Sequence, residues 1–156
     1  MLSDRNITKQ RQPIPSALAV GALQNCLVEA NLRCDTNIII ETAEARNPHH
    51  FAVLIGLGAT AVYPYLAYET LAQMVQVGAI KKPLRVAISN FRNGINKGLY
   101  KIMSKMGISC VSSYRCARLF EIVGLNQEIT TLCFAGMTSR IEGASFADLD
   151  QQLTAC

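Results

Sequence analysis

Glu41, Tyr63, Ser112 and Ser113 are the residues of this chain best placed to carry chemistry, because they lie at the C-terminal ends of three stretches that predict β-strands. The branched run Thr36–Glu41, the segment Ala59–Tyr63 ended by Pro64, and Ile108–Val111 have the composition of short buried strands. The C-terminal ends of such strands form the edge on which barrels carry their sites. In an enzyme, a carboxylate, a phenol and two hydroxyls gathered there would be the first residues to mutate. His49-His50 suggests a metal at first sight. Adjacent helical residues diverge by about 100°, however, and no Asp, Glu or Cys lies three or four positions from either. The spacing therefore predicts that one histidine packs and the other faces a loop or neighbouring domain. Gly56-Leu57-Gly58 leads into a strand rather than a helix, which is the wrong context for a dinucleotide fingerprint. The six cysteines are scattered without a Cys-x-x-Cys pair, so a common zinc site is disfavoured and most thiols are expected to be buried or idle.

Charge is segregated. Between Thr70 and Phe120 there is no acidic residue, while Lys81, Lys82, Arg85, Arg92, Lys97, Lys101, Lys105, Arg115 and Arg118 supply nine cations. The remainder holds six basic and eleven acidic residues. A field of this kind suits an anion or nucleic-acid surface, the solvated face of one helix, or a face matched by acids on another domain. Nucleic acid is disfavoured, since the cations are not interleaved with exposed aromatics.

Elements that could position these residues follow from periodicity. Helices are predicted over Ala17–Asn31, His49–Ile55 with an Asn47 cap and Pro48 in the first turn, Tyr65–Val77, Pro83–Met106, Tyr114–Val123 and Gln127–Phe134. In the long helix, Leu84, Ile88, Phe91, Ile95, Leu99, Ile102 and Met106 step by three or four toward a core, and Gly107 ends it. Gly94 and Gly98 lie on one face of that helix, where something large is expected to pack. Residues 2–12 are polar and irregular, and Gly143–Leu149 begins a last helix with little to dock against.

At 156 residues, half of them hydrophobic but only 6% aromatic and none Trp, the chain has the size of one domain with an aliphatic core. The expected architecture is α/β, a partial (β/α) barrel-like domain with a short parallel sheet flanked by helices. Three strands do not close a barrel, so a sheet edge and apolar surface would need a partner, and self-association through that surface is open. The absence of a membrane-length apolar run and of a signal-peptide pattern points to a cytoplasmic protein with no membrane partner.

Several longer stretches are specific enough to name a family. They are Leu-Ser-Asp-Arg at 2–5, Pro-Ile-Pro at 13–15, Glu-Thr-Ala-Glu-Ala-Arg-Asn-Pro-His-His-Phe-Ala at 41–52 and Tyr-Pro-Tyr-Leu-Ala-Tyr-Glu at 63–69. Asn-Lys-Gly-Leu-Tyr-Lys-Ile-Met-Ser-Lys-Met-Gly-Ile-Ser at 96–109, Ser-Tyr-Arg at 113–115 and Ser-Arg-Ile at 139–141 complete the set. Over nearly its whole length the chain resembles the later part of the central domain of the glutamate synthase large (alpha) chain. The resemblance implies an enzyme that hydrolyses glutamine, channels ammonia to 2-oxoglutarate, and reduces the product with FMN, iron-sulfur clusters and NADPH. It also implies that the chain is a fragment whose neighbours are the amidotransferase and FMN domains of the same large chain, with a small subunit as a further partner.

The family's catalytic residues find no counterparts here. No cysteine follows Met1, and Cys110 and Cys116 have only the first spacing of the family's Cys-x5-Cys-x4-Cys cluster run, the next cysteine being Cys133. Glu142 replaces a glycine common after Ser-Arg-Ile. The resemblance thus implies a structural segment with no catalytic, cofactor or metal residues of its own. Glu41, Tyr63, Gly94, Lys97, Gly98, Lys101, Lys105, Ser112, Ser113 and Arg115 become candidate domain-interface residues. The competing expectation is a stand-alone anion- or nucleic-acid-binding module using segment 81–118; a third is a half-barrel enzyme completed by dimerisation.

Overall fold

The computed structural model describes residues 1–8 and 10–154. Two short parallel sheets are joined and covered by helices. The first has the order β1 (Leu2–Ser3), β2 (Ile39–Glu41), β3 (Ala61–Tyr63), and the second pairs β4 (Glu121–Leu125) with β5 (Thr138–Ala144). Every strand pair is parallel, with Ile40 opposite both Leu2 and Val62, and Glu41 opposite both Ser3 and Tyr63. Parallel neighbours require crossovers, and helices supply them. The helices are α1 (Ser16–Glu29), α2 (Pro48–Gly56), α3 (Tyr65–Gln76), α4 (Leu84–Lys105), α5 (Val111–Tyr114), α6 (Gln127–Cys133) and α7 (Phe146–Thr154), of which α1, α2 and α6 make the crossovers. The fold is mixed α/β, as expected, and the described strands do not close into a barrel.

Local chemistry sets the helix ends. Asn47 accepts the His50 amide at 3.1 Å ahead of Pro48, and Asn126 accepts the Ile129 amide at 3.0 Å, so α2 and α6 start on side-chain caps. Ser145 and Asp148 bond reciprocally at the start of α7. Gly107, at φ +71°, ends α4 where the sequence places the stop, and the Ile108 amide returns to the Met103 carbonyl at 3.0 Å.

One core joins the two sheets. Val20 of α1, Ile38 and Ile40 at β2, Leu54 of α2, Ile122 of β4 and Ile129 of α6 are all buried in it. A smaller cluster of Ala52, Met103 and Tyr114 seals the C-terminal half of α4. The other face of the first sheet is uncovered, with Ile39 42% and Tyr63 46% exposed and Ala61 open beside them.

Three predicted elements are corrected. Ile108–Val111 is not a strand; Val111–Tyr114 turns into α5 because the Tyr114 side chain is drawn into the cluster under α4, leaving it 2% exposed. Ser112 and Ser113 therefore lie on a helical turn and not at a strand end. Tyr114–Val123 is not a helix, since Cys116 (φ +60°) and Arg118 (φ +53°) are left-handed, which no right-handed helix passes through. Beyond them Glu121, Ile122 and Val123 alternate out, in and out, which is the period of strand β4. The polar N-terminus, expected to be irregular, contributes β1, and β5 forms where no strand was expected. Of the predicted apolar stripe on α4, Ile95 is buried, whereas Leu84 and Met106 at its ends are exposed.

The two α4 glycines also differ. A β-carbon on Gly98 would collide with the Pro48 ring, so Gly98 lets α4 and α2 close on each other within this chain. Gly94 faces open space, and a β-carbon added there would have no neighbouring atom within 4 Å. Urea unfolding should separate them. Gly94→Ala is expected to stabilise by about 1 kcal/mol through helix propensity. Gly98→Ala is expected to destabilise by about 1–3 kcal/mol through overpacking.

The first sheet is also tied by side chains across its C-terminal edge. Glu41 accepts from Ser3 Oγ and from Arg5 Nε, both at 2.6 Å, and these partners hold its carboxyl below the usual glutamate range, the Ser3 hydrogen bond foremost. A lowered folded-state pKa gives stability that is complete above the ordinary value of about 4.3 and is lost as pH falls through the folded value. The stability gap between the natural chain and Glu41→Gln, followed by urea unfolding across pH, should thus be widest near neutrality and shrink below about pH 4.

Candidate functional site

The C-terminal edge of the β1–β2–β3 sheet gathers the densest polar network. Each strand ends there because the chain turns away on a short polar stretch, Asp4-Arg5 after β1, Thr42-Ala43-Glu44 after β2 and Pro64-Tyr65 after β3. Asp4 accepts from Thr42 Oγ1 at 2.7 Å and from the Ala43 amide at 3.0 Å. Arg5 bridges Glu41 and, at 3.5 Å, Glu69 of α3, while its guanidinium carbon lies 4.4 Å from the Tyr65 ring centre. Glu44 accepts from the amide and hydroxyl of Ser16, which fixes the start of α1 to the β2 loop.

Electrostatics shifts Tyr65 and Glu41 in opposite directions. Burial, with Asp4 accepting its hydrogen bond, pushes the Tyr65 phenol up, whereas Glu41 is pushed down. Both shifts move the group away from neutral pH, so neither is poised to exchange a proton with substrate. The edge can orient three strand ends and present fixed charge. A cavity of about 270 Å³ opens beside it, lined by Asp4, Arg11, Ser16, Glu41 and Thr42 among others.

The predicted site residues do not form one constellation. Glu41 and Tyr63 are cross-strand neighbours on this edge, with the Tyr63 ring edge-on to Tyr68 at 5.6 Å. Arg115 lies at the opposite end of the sheet, where it donates to Thr60 Oγ1 at 3.4 Å. Ser112 and Ser113 sit on α5, where the Ser112 hydroxyl meets Cys110 Sγ at 2.8 Å and helps to lower that thiol's pKa. Lys97, Lys101 and Lys105 are exposed along α4, one turn apart, and none has an ion-pair partner among the described residues.

His49 meets the Phe120 ring edge-on at 6.2 Å yet stays exposed, while the half-buried His50 bonds the Arg46–Asn47 turn. Of the cysteines expected to be buried or idle, Cys133 is buried, whereas Cys26, Cys34, Cys110 and Cys116 are exposed free thiols; Cys156 lies outside the described residues. Among the described residues no group of three or more His, Cys, Asp or Glu is arranged to hold a metal ion. No described helix is long and apolar enough to cross a membrane.

Sequence reasoning missed Asp4, Arg5, Tyr65 and Glu69 as members of the edge. Their signal was present, since Leu-Ser-Asp-Arg, Glu-Thr-Ala-Glu and Tyr-Pro-Tyr-Leu-Ala-Tyr-Glu, stretches far apart in sequence, meet at this edge.

Comparison with known proteins accounts for that convergence. A family model described as the glutamate synthase central domain matches residues 1–126. A glutamate synthase [NADH] of Schizosaccharomyces pombe is 44% identical over 148 residues, covering 94% of this chain and 7% of the relative. The glutamate synthase [NADPH] large chain of Bacillus subtilis is 41% identical over 152 residues, with 97% and 10% covered. The ferredoxin-dependent glutamate synthase 1 of Arabidopsis thaliana is 42% identical over 164 residues, with 97% and 10% covered. The chain spans about a tenth or less of the length of these relatives. With the family model matching most of the chain and the identity sustained across nearly all of it, the chain belongs to the glutamate synthase family and corresponds to its central domain.

Proposed function

We propose that this chain acts as an architectural segment of a glutamate synthase large chain, coupling glutamine hydrolysis to glutamate formation rather than performing either step. The observation that carries this reading is the uncovered face of the β1–β2–β3 sheet. Parallel sheets are ordinarily covered on both faces, yet Ile39, Ala61 and Tyr63 present an apolar patch to solvent beside the Arg5–Glu41 clamp. A neighbouring domain of the same large chain, the amidotransferase or the FMN domain, is the cover that this patch fits. Glu41 and Tyr63 line that contact. Lys97, Lys101, Lys105 and the open Gly94 form a second contact face on α4, and Ser112, Ser113 and Arg115 belong to its continuation.

The cofactors implied by the family belong elsewhere in the large chain. At the strand ends the one guanidinium of the network, Arg5, is already engaged by Glu41 and Glu69. The described cysteines are not gathered for an iron-sulfur cluster. NADPH is one of several donors in play, since relatives named for NADH, NADPH and ferredoxin match this segment about equally well. The segment is accordingly indifferent to the donor. The small subunit and a cytoplasmic setting complete the proposed context. The stand-alone anion- or nucleic-acid-binding module on segment 81–118 is set aside, because the match to glutamate synthases runs through the basic segment itself.

The test is a chimera in which this chain replaces the matching 152 residues of the Bacillus subtilis large chain. Glutamine-dependent glutamate synthesis is expected to survive. Glu41→Ala and Tyr63→Ala in that chimera should leave glutamine hydrolysis several-fold in excess of glutamate formation. A folded chimera without synthesis, or variants in which both activities fall together, would contradict the architectural reading.

A further inference from the structure

A cavity of about 380 Å³ lies between α2, β3, α3 and α4, away from the Glu41 edge network. It falls within the size range of small-molecule sites. Its floor is apolar, made by Phe51, Ile55, Val62, Phe91, Ile95 and Leu99. The rings of Phe51, Phe91 and Tyr68 form a continuous edge-to-face series, at 6.5 and 6.0 Å between centroids, which leaves ring faces and edges for a further planar group.

The polar rim is carried by α4. Arg92 and Asn96 are one turn apart on α4, so their side chains reach the same point, and Thr60 faces them from the start of β3. The Thr60 hydroxyl is itself occupied, donating to Asn37 Oδ1 at 3.2 Å and accepting from Arg115 at 3.4 Å, so the free donors of the rim are those of Arg92 and Asn96. Neither Arg92 nor Asn96 has a hydrogen-bond or ion-pair partner among the described residues. No carboxylate lines the cavity, and Glu69, the nearest acid in sequence to its Tyr68 wall, is turned to Arg5. The whole segment from Thr70 to Phe120 is without acid, so nothing local competes for these cations.

We infer that this cavity binds a small organic anion, an aromatic or branched apolar body with one carboxylate or phosphate head. The body lies on Phe51, Phe91 and Leu99, and the head takes the Arg92 guanidinium and the Asn96 amide. Guanidinium suits such a head because its planar fork donates two parallel hydrogen bonds. This site is separate from the proposed domain contacts, and its test does not depend on them.

Two fluorescent probes with the same apolar body separate an anion site from a greasy patch. They are 8-anilinonaphthalene-1-sulfonate and its uncharged parent N-phenyl-1-naphthylamine, titrated into the 156-residue chain. The sulfonate should bind one per chain and about tenfold more tightly than the neutral probe, the effect of one charge-assisted contact. Arg92→Gln should remove that preference and leave the neutral probe unaffected. Lys105→Gln, which removes a cation from the outer face of α4, should change neither. Phenylacetate or phenyl phosphate should displace the sulfonate, and whichever is stronger identifies the head. Equal binding of the two probes, equal effects of Arg92→Gln and Lys105→Gln, or displacement by neither competitor would overturn the inference.

Discussion

Burial of Ile38 and Ile40 beneath α1 and α2 is the contact on which the rest of this structure depends. The strands of the first sheet are two or three residues long, so the ladder itself contributes few hydrogen bonds. Each of those bonds adds only about 1 kcal/mol net. Complete burial of one branched side chain is worth about 1.5–3 kcal/mol. The sheet therefore exists because its covered face is packed. Val20 and Leu54 deliver that packing from the two crossover helices, and Gly98 extends it by letting α4 close on Pro48.

One-sided burial has a functional consequence. The same alternation that sends Ile38 and Ile40 inward sends Ile39 outward, and in β3 it exposes Ala61 and Tyr63. The edge clamp of Ser3, Arg5 and Glu41 frames that face and holds the Glu41 carboxyl below the usual glutamate range. A rigid, apolar, charge-framed surface of this kind is suited to holding another domain in register. Under the proposed function, that other domain belongs to the same large chain.

Much of this was legible in the sequence where one interaction dominated locally. The caps at Asn47 and Gly107, the branched run ending at Glu41 and the three-to-four spacing centred on Ile95 all reported elements that formed. What failed depended on distant contacts. Val111–Tyr114 became a helical turn because Tyr114 found the Ala52–Met103 cluster, and β1 formed because β2 stood ready beside two residues with no strand signal of their own. The left-handed Cys116 and Arg118 broke a helix that periodicity alone favoured. The edge network was legible only in part for the same reason, since Arg5 and Glu69 are 64 positions apart and meet only once β1 and α3 are in place.

The central claim is that the bare face of the first sheet is covered by another part of a glutamate synthase large chain. Hydroxyl-radical footprinting of Tyr63 tests it most directly, with the chain alone compared against the same chain embedded in the Bacillus subtilis large chain. Tyr63 should be readily oxidised in the first and protected in the second. Equal oxidation in both would contradict the account.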